Sequence, residues 1–233
     1  MTIGIIPCAG TATRIHGLPK YLLPVADGYL LNTLIQRMQA VDTQPIIGVN
    51  PENAGLVTQY KKTAFVHTAK DYKTMSETVL SCRNFADNET VLFGMPDTYI
   101  EDDDCFRKLI AAIDDGAHVA VALFRDRPGQ HLKVGMCDIR EGRVVALEDK
   151  PKHTRMTWLW GALAWKPIFW PYMRASDPHV GYALPRAIAA GLDVRAVKMD
   201  GGYYDCGTFA EYEELIVHLH GRKEPVEMSQ IYG

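Results

Sequence analysis

Short apolar runs alternate with segments of helical periodicity through the first half of the chain. Each run is four to seven residues long and is bounded by Gly, Pro or polar residues, as buried strands are. These runs occupy residues 3–8, 45–50, 64–68, 90–93 and 118–124. The helical segments between them occupy residues 30–40, 76–85 and 105–115. This alternation predicts a largely parallel sheet with helices on both faces.

The second half of the chain has a different pattern. A hairpin is predicted around Arg140-Glu141-Gly142, and residues 157–165 form an aromatic-rich strand. The helical segments and short strands that follow occupy residues 167–174, 180–190, 194–199, 201–204 and 208–220. We therefore predict a single α/β domain, with a mixed, mostly parallel sheet flanked by helices and an antiparallel second half.

Composition and charge exclude several classes of protein. The 233 residues carry a formal net charge of −3 and no basic run, which argues against nucleic-acid binding by bulk attraction. The five cysteines are odd in number and widely spaced, so neither a disulfide framework nor a zinc site is predicted. We find no signal peptide and no apolar stretch long enough to span a membrane. We expect a cytoplasmic protein that binds neither membranes nor nucleic acid. The sequence does not decide whether it forms a homo-oligomer.

The first strand is followed by a loop suited to phosphate. Residues 8–14 read Cys-Ala-Gly-Thr-Ala-Thr-Arg, and small residues after a first strand let backbone N–H groups approach phosphate oxygens. Arg14 adds a planar, permanently charged group. Lys20 follows Pro19 and precedes the apolar run Tyr21-Leu22-Leu23-Pro24-Val25, which predicts a firmly positioned point charge.

These residues resemble the signature of the nucleoside-triphosphate transferases, AG-x-G-T-R followed by P-K-x-L-L-P-V. The resemblance implies the glycosyltransferase-A-like fold of nucleotide-diphospho-sugar transferases. It also implies condensation of a nucleoside triphosphate with a sugar 1-phosphate and release of pyrophosphate. Arg14 and Lys20 would then hold the phosphates as catalytic residues. The nucleotide-binding residues of the loop would be Ala9, Gly10, Thr11, Ala12 and Thr13.

Two departures from the signature leave the substrate open. Ala12 stands where the family has its second loop glycine. The gap from Arg14 to Lys20 is also shorter than in typical sugar-1-phosphate enzymes. Short gaps are similar to those of cytidylyltransferases that act on polyol or choline phosphates. Lys73-Thr74-Met75-Ser76 falls where the family recognises the base, so Thr74, Met75 and Ser76 are candidate nucleotide-binding residues. With Lys73 in place of the arginine, the segment also resembles the cytidylyltransferase R-x-x-S element. The nucleotide base therefore stays open, and Thr74 or Ser76 is equally interpreted as a helix cap.

Two aspartates are candidate magnesium ligands. Asp97, in Phe93-Gly94-Met95-Pro96-Asp97, resembles a stretched form of the family's L-x-G-D element. Asp205, in Tyr203-Tyr204-Asp205-Cys206-Gly207-Thr208, resembles W-x-D-x-G-T. Both follow predicted strands, and Mg²⁺ takes one or two carboxylates besides phosphate oxygens and water. Taken alone, Asp97 is also a common turn or cap residue. The acidic run at 101–104 is interpreted as a solvated helix start.

The acceptor side is predicted from a second lysine. Residues 147–151, Leu-Glu-Asp-Lys-Pro, resemble the family's E-K-P, so Lys150 would meet the acceptor phosphate. Asp149 then stands in the place of the glutamate, with Glu148 as the competing candidate. Gly135 and Gly161 resemble family glycines near the substrate. The tryptophans of the aromatic strand are interpreted either as core or as a pocket floor: Trp158, Trp160 and Trp165.

The resemblance divides the chain by function. Residues 1–125 would bind the nucleotide, residues 126–220 would bind the acceptor, and residues 221–233 would form a tail. The acceptor phosphate is already an anion, so in-line attack needs positioning and charge neutralisation instead of a general base. The alternatives are a cytidylyltransferase for a non-sugar phosphate, a glycosyltransferase using Asp102-Asp103-Asp104 as an Asp-x-Asp motif, and a silent nucleotide-binding regulator.

Overall fold

The computed structural model describes residues 1–10, 19–25, 28–68 and 72–221. Most of the apolar runs become strands of one large sheet. Its strands are β1 (Thr2–Pro7), β4 (Thr43–Val49), β5 (Phe65–Thr68), β6 (Thr90–Gly94), β8 (Val119–Arg125), β9 (Gly135–Arg140), β10 (Arg143–Asp149), β11 (Trp158–Trp165) and β12 (Val194–Lys198). Two small sheets pair β2 (Pro24–Val25) with β3 (Gly28–Tyr29), and β7 (Thr98–Ile100) with β13 (Tyr203–Asp205).

The large sheet is mixed, in the order β5-β4-β1-β6-β11-β8-β12-β10-β9. The first four strands are parallel, as the alternating pattern predicts. Strand β11 then enters antiparallel between β6 and β8, and β9 pairs with both β10 and β11. The strands β11, β8, β12, β10 and β9 therefore close into a small barrel. Parallel pairing dominates only in the first half, because the β9–β10 hairpin returns the chain in the opposite direction.

Helices cover both faces of the sheet, as predicted. They are α1 (Leu30–Gln39), α2 (Met75–Ser81), α3 (Cys105–Asp114), α4 (Ala183–Ala189) and α5 (Phe209–Gly221). The apolar stripe of α1 packs with that of α3 in one core cluster. The buried residues of α2 and α4 contribute to the cluster on the other face. Among the described residues, no helix is long and apolar enough to cross a membrane.

Some predicted helices are shorter or tighter than the sequence indicates. Residues 167–174 contain only a 3-10 segment, Pro167–Tyr172, in which Pro171 removes a backbone donor. The helix predicted at 76–85 ends at Ser81 and gives way to a 3-10 turn at Arg83–Phe85. At its start, the Glu77 backbone N–H donates to Thr74 Oγ1 over 3.0 Å, so Thr74 is the cap.

The acidic run at 101–104 is only partly solvated, which corrects the sequence interpretation. Asp102 is 8% exposed, and its Oδ2 accepts from Lys108 Nζ at 2.6 Å and from the Asp200 backbone N–H at 2.8 Å. The Glu101 carboxylate accepts from His218 Nε2 at 2.6 Å and from the Gly202 backbone N–H. Burial of these groups is tolerated because each carboxylate is hydrogen-bonded. The two residues thereby brace the β7–β13 sheet and helix α5.

Candidate active site

The β7–β13 pair brings the two candidate metal ligands together. Asp205 is opposite Thr98 in the antiparallel register, and the Cys206 backbone N–H donates to the Asp97 carbonyl over 2.9 Å. Asp97 immediately precedes β7, and Asp205 is the last residue of β13. Two residues far apart in the sequence therefore lie side by side at one edge of the fold.

Lys20 lies beside the aspartates. It opens a 3-10 turn, Lys20–Leu22, and its Nζ lies 3.3 Å from Asp97 Oδ2. Tyr21 is buried in the core and anchors the turn, as does Leu23. The lysine side chain is only 17% exposed. The apolar run thus holds a positioned charge at the site, as the sequence predicts.

The environment of Asp205 suits a cation. Burial, the largest cause, and the charges of Asp97 and Glu211 together raise the pKa of Asp205 from 3.8 to about 7. Lys20 and Lys133 oppose the shift without cancelling it. Two neighbouring carboxylates supply hard oxygen donors, and a divalent cation would relieve their repulsion. The donor set therefore fits Mg²⁺.

A cavity of about 320 Å³ opens in front of these groups. Three lysines and three aspartates line it, together with apolar side chains from the barrel. The charged lining residues are Lys20, Asp97, Lys133, Asp149, Lys150 and Asp205. A cavity with a mixed apolar wall and a few convergent charges is what a small-molecule site requires.

A second cavity of about 240 Å³ adjoins the first, since Met75 and Asp97 line both. Ala9 and Gly10 from the loop after β1 line this cavity, as do Thr74 and Met75. These predicted nucleotide-binding residues therefore surround one space. Ser76 is buried beneath the start of α2 and does not line this cavity. Thr11, Ala12, Thr13 and Arg14 lie outside the described residues.

Tyr72, which lines this second cavity, and Asn50, which supports it from behind, were not predicted from the sequence. Asn50 Nδ2 donates to the Ala9 carbonyl over 2.8 Å, and Asn50 Oδ1 accepts from the Tyr72 backbone N–H over 2.9 Å. Asn50 thus ties the loop after β1 to Tyr72, which lines the cavity. The only sequence signal was the position of Asn50, directly after β4.

On the acceptor side, the structure favours Asp149 over Glu148. Asp149 lines the larger cavity, and Glu148 is exposed. Lys150 follows with a positive φ of 47°, and its backbone N–H donates to the Val134 carbonyl over 3.1 Å. A lysine in the left-handed region is unusual and is typical of functional sites. This backbone turn places Lys150 in the lining of the cavity.

The two predicted acceptor glycines make room for aromatic rings. Gly135 lines the cavity, but a Cβ there would overlap the indole of Trp160. A Cβ at Gly161 would overlap Tyr203 and Phe124. Gly161 is also the extra residue where the β11–β8 register shifts between Trp160 and Ala162. A packing role explains Gly161, and direct contact of either glycine with an acceptor stays a prediction.

The three tryptophans of β11 have different surroundings. Trp165 is fully buried in the core, and Trp160 is buried but lines the cavity. Trp158 is half-buried beneath the guanidinium of Arg125, whose Cζ lies 4.1 Å from the ring centroid. The predicted aromatic floor is therefore limited to Trp160.

Comparisons with known proteins show the family of the chain. Residues 4–167 match the MobA-like NTP transferase domain, and the chain belongs to this family of nucleotidyltransferases. The chain is therefore an enzyme of the class that the Gly10, Lys20 and aspartate motifs indicate. No curated protein sequence gives a significant match.

Solved structures show the same fold over nearly the whole chain. A Bacillus anthracis protein assigned as a glucose-1-phosphate thymidylyltransferase superimposes with a TM-score of 0.83 at 16% identity, covering 97% of this chain and 98% of its own. A UDP-glucose pyrophosphorylase gives 0.79 at 15% identity, with 96% and 100% covered. The inositol-1-phosphate CTP transferase of T. maritima gives 0.78 at 12%, with 97% and 98% covered. At these identities the similarity establishes the fold alone.

Proposed function

We propose that this nucleotidyltransferase joins a nucleoside triphosphate to a sugar 1-phosphate and releases pyrophosphate. The observation that carries the proposal is the arrangement of Lys20, Asp97 and Asp205, which line the larger cavity together, while Asp97 also lines the smaller one. The smaller cavity is lined by Ala9 and Gly10, at the start of the predicted phosphate-binding loop after β1. The larger one contains Lys150 and Asp149, which suit a phosphate and hydroxyl groups respectively.

Asp97 and Asp205 would hold the magnesium ion. When bound, Mg²⁺ supplies neutralisation of the phosphate charges. Lys20 contributes a fixed positive charge in the larger cavity, with its Nζ 3.3 Å from Asp97. Arg14 is proposed to bind the triphosphate on the resemblance alone.

The reaction is an in-line displacement at the α-phosphorus. An oxygen of the acceptor phosphate forms the new P–O bond, and the bond between the α-phosphorus and the α,β-bridging oxygen breaks. Pyrophosphate leaves with that electron pair. Lys150 and Lys20 position the two substrates and offset their repulsion, so no side chain has to remove a proton.

The glycosyltransferase alternative gains no support from the acidic run. Asp102 is hydrogen-bonded to Lys108 and to the Asp200 backbone, and it does not line either cavity. The charged carboxylates that do line the larger cavity come from other segments. The metal site is therefore proposed at Asp97 and Asp205, not at an Asp-x-Asp motif.

A substrate matrix tests the proposal. The protein is incubated with Mg²⁺, each of five nucleoside triphosphates, and either sugar 1-phosphates, inositol 1-phosphate or phosphocholine. We expect pyrophosphate release that depends on one nucleotide and one sugar 1-phosphate. Release with only a non-sugar phosphate would replace the sugar proposal by the cytidylyltransferase alternative. Nucleotide binding without release under any condition would favour the silent regulator.

Lys150 provides a test of the acceptor side. Lys150→Asn removes the charge but keeps a residue type that adopts the left-handed conformation readily. We expect unchanged thermal stability and a KM for the acceptor that is about 10-fold or more higher, because a charge-assisted contact to phosphate is lost. Steady-state kinetics and a melting curve measure both effects. Lys152→Asn, at an exposed neighbouring position, is the matched control. An unchanged acceptor KM in Lys150→Asn would contradict the assignment.

A further inference from the structure

The side-chain carboxylate of Asp149, on the acceptor side of the site, is held by a segment that no sequence motif indicated. Tyr182 Oη donates to Asp149 Oδ2 over 3.0 Å, and His179 Nε2 donates to Asp149 Oδ1 over 3.1 Å. Both donors come from residues 175–182, between the 3-10 segment Pro167–Tyr172 and helix α4. Each carboxylate oxygen thus has one protein donor and keeps further acceptor capacity.

The His179 ring is fixed in this orientation by its neighbours. Its centroid lies 5.6 Å from that of Trp160 and 4.8 Å from that of Tyr182. Gly181 approaches so closely that a Cβ there would overlap Trp160 and crowd the imidazole. Burial lowers the pKa of His179, although Asp149 acts in the opposite direction. The imidazole of His179 is therefore held in its neutral form, with Nε2 donating to the Asp149 carboxylate.

The other end of the same segment is tied to the nucleotide side. Thr74 Oγ1 donates to the Ala175 carbonyl over 2.7 Å, and the Met75 backbone N–H donates to the Pro178 carbonyl over 3.2 Å. Thr74 and Met75 line the smaller cavity. The segment therefore spans from the wall of one cavity to the carboxylate of the other, and it is anchored at both ends.

We propose that His179 and Tyr182 are positioning residues that set acceptor specificity by fixing the Asp149 carboxylate toward hydroxyl groups of the acceptor. This inference rests on the proposed function. A carboxylate whose two oxygens are each held by a protein donor presents its remaining lone pairs in fixed directions. A site built to bind a hydroxyl rejects an analogue that lacks it, because the carboxylate then stays desolvated and unpaired.

The test uses the best sugar 1-phosphate from the substrate matrix and its monodeoxy analogues. Tyr182→Phe and His179→Phe keep a ring but remove one donor each, and His179→Gln keeps a donor. We expect both Phe variants to raise the acceptor KM about 10-fold and to lower discrimination against one deoxy analogue by a similar factor. The KM for the nucleotide and the kcat at saturating acceptor should stay near wild type. His179→Gln should recover part of the loss.

Tyr172→Phe is the matched control, because Tyr172 lies upstream of the same segment and does not line the larger cavity. Tyr182 is itself 36% exposed, so Tyr182→Phe decides the question if His179→Phe does not fold. Unchanged acceptor KM and unchanged discrimination in a folded Tyr182→Phe protein would overturn the inference. Absence of turnover by the wild-type protein with every sugar 1-phosphate would instead overturn the proposed function.

Discussion

Lys20→Ala should lower kcat/KM for nucleotidyl transfer by about 10²–10³-fold while the protein stays folded. Lys20 lines the larger cavity, and its Nζ lies 3.3 Å from Asp97, which lines both cavities. Its charge is held in place before substrate binds, so little reorganisation is needed when negative charge moves from the α-phosphate to pyrophosphate. The loss is expected mainly in kcat, as for a contact that strengthens in the transition state.

Pyrophosphate release and a melting curve together measure this prediction. Lys61→Ala, at an exposed position away from both cavities, controls for the loss of a positive charge. Removing Lys20 takes an ion-pair partner from Asp97, so the melting temperature must be compared with and without Mg²⁺. Near-normal pyrophosphate release by a folded Lys20→Ala protein would remove Lys20 from the catalytic site.

Asp205→Asn should abolish most magnesium-dependent turnover and, at the same time, stabilise the metal-free protein above neutral pH. The first effect follows from losing one of the two carboxylates that are proposed to bind Mg²⁺. The second follows from the raised pKa of Asp205, about 7 in the folded protein against 3.8 ordinarily. Ionising this buried carboxylate beside Asp97 costs free energy that an uncharged asparagine does not.

The raised pKa of Asp205 makes the free energy of unfolding depend on pH. Between about pH 4 and pH 7 the folded protein binds the Asp205 proton and the unfolded chain does not, so this group makes stability fall as pH rises. The loss of stability from ionising Asp205 is complete above its pKa in the folded protein, and it is absent below its pKa in the unfolded chain. We expect Asp205→Asn to gain on the order of 1–3 kcal/mol over wild type at pH 8, and almost nothing at pH 4.

Melting curves at both pH values, with and without Mg²⁺, measure the difference. A gain of this size corresponds to a melting temperature higher by several degrees in a chain of this length. Mg²⁺ should stabilise wild type and leave Asp205→Asn nearly unchanged. Equal stabilisation of both proteins by Mg²⁺ would place the metal elsewhere, and equal melting temperatures at pH 8 would contradict the electrostatic account of Asp205.

Local sequence patterns predicted much of the fold. The apolar spacing of residues 30–40 predicted α1, and all five of its apolar positions are buried. The Arg140-Glu141-Gly142 turn predicted the β9–β10 hairpin, with Glu141 and Gly142 at positive φ. The signature after β1 predicted the family, which the match over residues 4–167 confirms. In each case the signal lies within one short segment of chain.

Features that depend on distant contacts could not be predicted. Strand β7 was not predicted, and β13 was predicted only as a short strand at 201–204. Their mutual pairing, which sets Asp97 beside Asp205, has no signal in either segment alone. Burial of Asp102 requires Lys108 and Asp200 as partners. Closure of the barrel requires β9 to pair with β11, which no local pattern indicates.

The acceptor side shows the same limit. The E-K-P resemblance predicted Lys150 as an acceptor-phosphate residue and left Glu148 and Asp149 as alternatives for the carboxylate. Only the folded chain favours Asp149 as the acceptor-side carboxylate. Glu148 is exposed there, and Asp149 accepts hydrogen bonds from His179 and Tyr182. Gly161 was matched to a substrate-side glycine, yet the space above it is filled by Tyr203 and Phe124. Its place in a register shift of β11 depends on pairing with β8.

The most direct test of nucleotidyl transfer at this site follows the oxygen atoms. The sugar 1-phosphate is labelled with ¹⁸O at the non-bridging phosphate oxygens and incubated with the nucleoside triphosphate and Mg²⁺, and both products are analysed by mass spectrometry. Attack by the acceptor phosphate on the α-phosphorus predicts that all label stays in the nucleotide-sugar and that the pyrophosphate carries none. Label in pyrophosphate, or release of inorganic phosphate with a nucleoside diphosphate, would contradict this account.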